Sequence, residues 1–429
     1  MTGARAQVRD RFRITAILSV VVVAGVATWF AQAPRHSPPT RLDDAAVPRA
    51  VRPDFVGRRG TTFELNGARF RVAGVNNHYL TYGSRAEVLA VLDDAVAMNA
   101  NVVRVFVSPI IGSEDGTVPT IFDRTAGADS SNLRVGDVHM ASWDPVSGAM
   151  KINDGPNGLQ RLDFLLAEAA KRDLRLIVAF LDYWGYTGGA RQISAWYGGG
   201  VDDHFFAEDP RTKADYKRLV RAIVERVNVV TGKAYRDDPT IFAWELMNEP
   251  DIRPTALFMA WVGEMAAYVK SLDPDHMLAS GHDGVRTRLI ELNIPELDFG
   301  TWHGYPAYRN TPARTFGETI SEYCRRAEAF DKPVILEEFG LARSDPARPK
   351  IYADWLATIA DDPRCAGWLV WRLVSRQDGG DYPNDDHDQF DIHADGSPVW
   401  SVLKDAAQAL RGSTARRAGP PAQPMEKTR

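Results

Sequence analysis

Phe242-Ala-Trp-Glu-Leu-Met-Asn-Glu-Pro250 and Pro333-Val-Ile-Leu-Glu-Glu-Phe-Gly340 are the two stretches on which the fold turns. Each is an apolar, strand-like run that stops at Glu and is then broken by Pro or Gly. That pattern puts acidic groups at the C-terminal ends of buried strands, where parallel α/β barrels keep their chemistry. Working outward, the same alternation of apolar strand and amphipathic helix recurs along the chain. Thr62 to Phe70 reads as a hairpin turning at Asn66-Gly67. Strands follow at Phe70 to Asn76, Val102 to Val107, Leu174 to Phe180, Thr240 to Leu246, Met277 to Ser280, Leu297 to His303, Pro333 to Glu338 and Ala366 to Leu373. Helices are expected from Ser84 (with Glu87 completing a capping box) to Asn99, then over Leu159 to Lys171, Pro210 to Thr231, Pro254 to Leu272, Thr319 to Phe330, Ala347 to Ile359 and Val399 to Leu410. The segment after Met277 shows no clear helix. A Gly- and Asp-rich insertion covers Ser108 to Asn157. The expected fold is α/β: a (β/α)8 TIM barrel with an N-terminal β-hairpin and long βα loops.

The barrel does not use the whole chain of 429 residues. Arg5, Arg9, Arg11 and Arg13 precede an uncharged run, Ile14 to Ala33, which reads as a signal peptide or a membrane anchor. Basic residues before it predict that end inside and the rest of the chain outside. The divisions are therefore 1–33 as leader, 34–53 as a Pro-rich linker, 54–412 as the barrel domain and 413–429 as a disordered tail. The expected location is extracellular or at the cell envelope, secreted or anchored by residues 14–33. A formal net charge of −5 leaves no basic footprint for nucleic acid. There is no phosphate-cradling Gly-rich loop, no HExxH and no zinc spacing, so neither a metal nor an organic cofactor is expected. The two cysteines, Cys324 and Cys365, read as buried free thiols, with a disulfide as the alternative in an exported chain. A monomer is expected.

Two carboxylates on one barrel rim suit cleavage of a glycosidic bond, where one protonates the leaving oxygen and the other attacks the sugar. Glu249 follows strand four and Glu338 follows strand seven. A proton donor needs a raised pKa; a nucleophile must stay ionised beside positive charge and hydrogen-bond donors. Arg104, pointing inward from strand two, can supply both, with His303 and Tyr305 at the end of strand six. Asn248 can bond the hydroxyl next to the reacting carbon, and Trp371 offers a flat face to a sugar ring. Any one of these residues alone reads more often as a structural ion pair or a satisfied hydrogen-bonding group than as a catalytic one. Their joint placement on successive rim positions carries the reading.

Asn248-Glu-Pro250, Trp302-His-Gly-Tyr305, Leu336-Glu-Glu-Phe-Gly340 and Trp368-Leu-Val-Trp371 resemble the signature of glycoside hydrolase family 5, a retaining group. Phe55 to Phe63, Gly74-Val-Asn76, Trp184 to Gln192, Phe205 to Pro210 and Asp378 to Pro383 resemble its plant and fungal endo-β-1,4-mannanase branch. The resemblance spans Phe55 to Leu410. It implies Glu249 as acid/base and Glu338, directly before the aromatic-Gly pair, as nucleophile, rather than its neighbour Glu337. Strand alternation agrees that only one of those two faces the barrel axis. It implies Arg104, Asn248, His303, Tyr305, Trp371 and Trp184 as substrate-binding residues. The partner it implies is mannan, glucomannan or galactomannan. Two departures stand beside the expected cleft: Leu181-Asp-Tyr-Trp184, where members of that branch often carry two Asn before the Trp, and the Ser108 to Asn157 insertion. They bear on substrate and on endo against exo action. The alternatives are a β-1,4-glucanase, an exo-acting β-mannosidase and a carbohydrate-binding barrel without turnover. Asp378, Asp381, Asp385, Asp386, His387 and Asp388 form an acidic loop without the spacing of a calcium site, read as a lid over the sugar.

Overall fold

The computed structural model describes residues 52–125, 135–200, 204–309, 311–383 and 389–415, excepting the side chains of 412–415. The leader, most of the linker and the end of the tail lie outside these residues, so the expectations for them are not addressed by the fold. Among the described residues no helix is long and apolar enough to cross a membrane.

The chain enters through β1 (Val56–Arg59), β2 (Thr62–Leu65) and β3 (Ala68–Phe70), an antiparallel sheet. The hairpin at Asn66-Gly67 is as expected; β1 adds a strand to it. Both turn residues have positive φ, 53° and 77°, which Asn and Gly tolerate. β4 (Val72–Asn76) and β5 (Val102–Phe106) begin the barrel. Between them, the helix Arg85–Ala97 starts at the expected capping box: Ser84 Oγ accepts from the Glu87 amide at 3.1 Å and Glu87 Oε2 from the Ser84 amide at 2.6 Å. The insertion folds into its own small sheet, β6 (Ile110–Ser113), β7 (Ala141–Asp144) and β8 (Ala149–Ile152). The remaining barrel strands are β9 (Arg175–Ala179), β10 (Ile241–Glu245), β11 (Met277–Ala279), β12 (Gly300–Gly304), β13 (Val334–Phe339) and β14 (Gly367–Val370). Their order is β11-β10-β9-β5-β4-β14-β13-β12, and each ladder is parallel.

This is the eight-stranded barrel the sequence predicts, nearly closed. The seam lies between β11 and β12, where the sequence shows no helix and the structure has only a 3-10 turn at Ile290–Asn293. β11 is three residues long, too short for a full ladder. Asp298 bridges the gap instead: its Oδ2 accepts from the Leu278 amide at 2.9 Å, and its own amide donates to the Leu278 carbonyl at 2.8 Å.

The N-terminal end of the barrel is plugged. Phe63 of β2 meets Phe242 and Phe299 edge-on, with ring centroids 5.0 and 5.3 Å away. All three rings are buried, each worth roughly 1.5–3 kcal/mol relative to exposure. With that end filled by apolar rings, polar chemistry is confined to the C-terminal rim.

Three expectations are corrected. Cys324 and Cys365 are joined by a disulfide; they are not free thiols. Cys324 lies on the helix Phe316–Glu328 and Cys365 just before β14, which brings their Cα atoms within 4.9 Å. The helix expected to reach Thr231 ends at Val224, because Val227 bridges to Ala234 and Asn228 turns the chain. The insertion was expected beside the cleft, but none of its described residues lines it. It supports the Trp184 loop from outside, through the Ile110 amide on the Thr187 carbonyl (2.9 Å) and Trp196 Nε1 on the Ile111 carbonyl (3.1 Å).

Candidate active site

A cleft of about 380 Å³ opens at the C-terminal rim. Its lining includes Asp182, Trp184, Asn248, Glu249, Tyr305, Glu338 and Trp371. Arg104 and His303 sit directly beneath, 0% and 1% exposed. All eight residues singled out in the sequence therefore meet at one place.

Arg104 organises the floor. It rises from β5 into the barrel axis, and a buried guanidinium must be paired. Its Nη1 donates to Glu338 Oε1 at 2.6 Å, its Nη2 to Asn248 Oδ1 at 2.9 Å, and Nε and Nη2 grip Glu245 at 2.9 and 2.5 Å. Glu338 Oε2 accepts from Tyr305 Oη at 2.7 Å. Both oxygens of Glu338 are thus held by donors, one of them cationic.

Glu249 is held from the other side. Trp184 Nε1 donates to its Oε2 at 2.7 Å, and His303 Nδ1 meets its Oε1 at 2.5 Å. Its φ is +47°, a left-handed conformation that costs a non-glycine residue of order 1–3 kcal/mol. The Glu249 amide on the Gly281 carbonyl (2.9 Å), together with the two side-chain bonds, holds it there. One oxygen each of Glu249 and Glu338 and a ring nitrogen of His303 all lie within 4.8 Å of one another. This is the group among the described residues whose spacing could admit a metal ion. Its oxygens, however, already accept from Trp184, Tyr305 and Arg104, and the guanidinium sets a positive charge against the group.

The electrostatics of the resting site run against the expected division between a protonated Glu249 and an ionised Glu338. Burial pushes Glu249 up, but the His303 charge, the His303 hydrogen bond and the Trp184 N–H outweigh it and hold the carboxyl down at about 2. Burial pushes Glu338 above the usual range, against the pull of His303 and Arg104. Burial alone would strip the proton from His303; the charges of Glu338 and Glu249 raise it instead to about 10. The proton expected on Glu249 is thus held at the far end of its short bond to His303.

The alternation argument that separated Glu337 from Glu338 is also corrected. β13 slips register against β12, pairing Trp302 with Leu336 but His303 with Glu338, so Glu337 is an extra residue at a bulge. Both side chains turn inward. Glu337 Oε2 lies 3.6 Å from Arg104 Nε and 3.6 Å from His303 Nε2. Only Glu338 lines the cleft; Glu337 is fully buried below it.

Glu245, Glu337 and Asn76 were not singled out as site residues. Asn76 Oδ1 accepts from Arg104 at 3.1 Å. Glu245 carried a usable signal: a charge inside the apolar run Trp244-Glu245-Leu246 must find an opposite one, and Arg104 is the inward strand cation. Burial and the neighbouring Glu337 hold Glu245 above the usual carboxylate range, with Arg104 opposing. Asp378 of the acidic loop accepts from Ser84 Oγ at 2.8 Å, while Asp385, Asp386, His387 and Asp388 lie outside the described residues.

Comparison with known proteins meets this geometry. Residues 147–362 match the family model described as GH family 5 beta-mannosidase-like. Mannan endo-1,4-beta-mannosidase 1 of Oryza sativa subsp. japonica is 30% identical over 369 residues, covering 75% of this chain and 78% of the relative. Mannan endo-1,4-beta-mannosidase F of Aspergillus clavatus is 29% identical over 353 residues, covering 77% of this chain and 74% of the relative. The crystal structure of the endo-1,4-beta-mannanase from Rhizomucor miehei superposes with a TM-score of 0.70 at 27% identity, over 83% of this chain and 99% of that one. An eight-stranded barrel that gathers its acids on the C-terminal rim, and a shared sequence running through most of that barrel, place this chain in glycoside hydrolase family 5, among its β-mannosidase-like members.

Proposed function

We propose that this chain hydrolyses β-1,4-mannosidic bonds within mannan-type polysaccharide, with retention, using Glu338 as nucleophile and Glu249 as acid/base. The observation that carries the reading is the spacing of the two carboxylates, with an oxygen of each within 4.8 Å of the other across an open cleft. Retaining glycosidases set their carboxyls about 5–5.5 Å apart, since the nucleophile attacks the sugar directly and no water need fit between them.

Glu338 attacks the anomeric carbon while the leaving oxygen takes a proton from Glu249. The proton is drawn from the Glu249–His303 pair, which holds one between 2.5 Å-spaced atoms and returns to that state after each turnover. Arg104 and Tyr305 hold Glu338 in line for attack, and Asn248 donates to the hydroxyl beside the reacting carbon. The glycosyl-enzyme ester then breaks as Glu249 takes a proton from water, which adds to the same face the leaving group left. Trp184 and Trp371 border the cleft as flat surfaces for sugar rings. Mannan as substrate and action within the chain rest on the names of the relatives. Export, with residues 1–33 cut or kept as a tether, belongs to the same reading, and fractionation of expressing cells tests it.

The test is incubation of the purified chain with galactomannan, glucomannan and cellulose, with products resolved by size and anomer. Long β-anomeric oligosaccharides from mannan are expected first. Mannose alone as the first product would favour the exo form, and faster cleavage of cellulose the glucanase. Binding without cleavage would favour a carbohydrate-binding barrel. A Glu249→Ala variant as fast as the unmutated chain would remove Glu249 from its role.

A further inference from the structure

Asp182 is a cleft carboxyl to which the mechanism above gives no work. It follows β9, and its backbone is pinned on both sides. The Asn248 amide donates to the Leu181 carbonyl at 2.9 Å, the Tyr183 amide to the Asn248 carbonyl at 3.1 Å, and the Ala190 amide to the Asp182 carbonyl at 2.8 Å. The side chain is 6% exposed and lines the cleft. Its Oδ1 takes both of its hydrogen bonds, from Asn248 Nδ2 at 2.8 Å and from the Trp184 amide at 3.3 Å. Among the described residues no donor reaches Oδ2.

The chemistry of the neighbours defines what this carboxyl does. Arg104 can only donate, so Asn248 must turn Oδ1 toward it and Nδ2 toward Asp182. Asp182 thereby fixes the Asn248 amide, leaving one N–H of that group for the sugar. Its own Oδ2 is an acceptor in a cleft whose other polar walls are largely committed to each other. We propose that Asp182 is a substrate-contacting residue that sets specificity: its Oδ2 accepts a hydrogen bond from a hydroxyl of the sugar bound between Trp184 and Asn248. The inference rests on the hydrolase reading for its setting but is read by binding as well as by turnover. An asparagine here would keep the bond from Asn248 and present an N–H₂ donor to the cleft, reversing the polarity of that wall.

The carboxyl also changes character with pH. The charges acting on it are Glu249 from the loop after β10 and Glu338 from β13; the cations His303 of β12 and Arg104 of β5 bind those two carboxylates in turn. Burial, with the charges of Glu249 and Glu338, pushes it up to about 7. Above that pH Oδ2 is a charged acceptor; below it the group can donate.

The experiment is calorimetric binding and steady-state hydrolysis of mannohexaose by the full chain and by Asp182→Asn, from about pH 5.5 to about pH 8.5. Loss of a hydrogen bond to a charged group predicts binding at the alkaline end weaker by about tenfold or more in the variant, with KM rising by more than kcat falls. In the unmutated chain binding tightens with a midpoint near pH 7, where burial and the neighbouring carboxylates place the Asp182 carboxyl, and the variant loses that step. Equal affinities with coincident pH curves would overturn the proposal. If the variant does not fold, a flat binding profile of the unmutated chain across this range overturns it on its own. If the chain binds the oligosaccharide but never cleaves it, the hydrolase reading fails while the binding comparison still decides the role of Asp182.

Discussion

Replacing Tyr305 by Phe removes one oxygen atom from the site and little else. The phenol donates to Glu338 Oε2 at 2.7 Å, while its ring stacks on Phe390 with centroids 5.5 Å apart. The ring contact survives in Tyr305→Phe, so the packing of the ring is kept and only the hydrogen bond is lost. The lost bond is charge-assisted when Glu338 is ionised, worth about 1.5–3 kcal/mol. His303 Nδ1 already lies 3.3 Å from the same oxygen and can take up part of the loss, which favours the lower half of that range. At 1.36 kcal/mol per pKa unit, Glu338 rises by about one unit. The direction follows from the role: a nucleophile works ionised, removing a donor to the ionised form raises its pKa, and the acid limb of the kcat/KM profile moves to higher pH. The alkaline limb, which reports the proton held by Glu249 and His303, stays in place. Initial rates of reducing-end release from galactomannan, taken between about pH 4 and pH 10, measure both limbs. The variant should be about tenfold slower on the acid side, with the deficit shrinking as pH rises. An acid limb that stays where it was, or moves down, would refute the assignment of Glu338 as the ionised attacking group.

His303→Gln should act on the opposite limb. The His303 pKa is raised to about 10, so its share of stability is full below the ordinary histidine value near 6.5 and is lost as pH passes through about 10. Without it the proton must reside on Glu249 alone, and the alkaline limb of kcat/KM should fall toward the carboxylate range; an unmoved limb would separate His303 from the acid. Cys324→Ser opens a loop closed across a sequence separation of 41 residues, and denaturant unfolding should show a loss of about 2–4 kcal/mol with kcat unchanged, because the bridge lies between the helix Phe316–Glu328 and the chain entering β14, away from the cleft.

The strands and most helices could be read from residue pattern because each is a local fact. Val102-Val-Arg-Val-Phe106 is β-branched and apolar apart from Arg104, and Ser84 with Glu87 is a capping box wherever the helix is placed. The segment after Met277 lacked a helical pattern, and no α-helix formed there. Extent was less legible than existence. The insertion carried too many Gly and Asp residues to reveal β6, β7 and β8: β7 and β8 form a short hairpin, and β6 joins it in parallel from about 30 residues earlier in the chain.

The residue types at the rim were legible for the same local reason: Glu249 and Glu338 each end an apolar run, and a charged group at that point of a parallel strand can only face the open end of the barrel. Which proton sits where was not legible. It depends on His303 standing between two acids brought from different strands, and Coulomb interactions at these distances are properties of the assembled floor, not of any one segment. The inward turn of both Glu337 and Glu338 is likewise invisible in an alternating pattern, since a bulge is defined against the neighbouring strand and β12 supplies that reference only once the sheet has formed. Local patterns along the chain were therefore enough to name the barrel and its acids. The pairing of Arg104 with three carboxylates, the disulfide and the free oxygen of Asp182 required the folded molecule, because each is a relation between residues that only tertiary packing brings within reach.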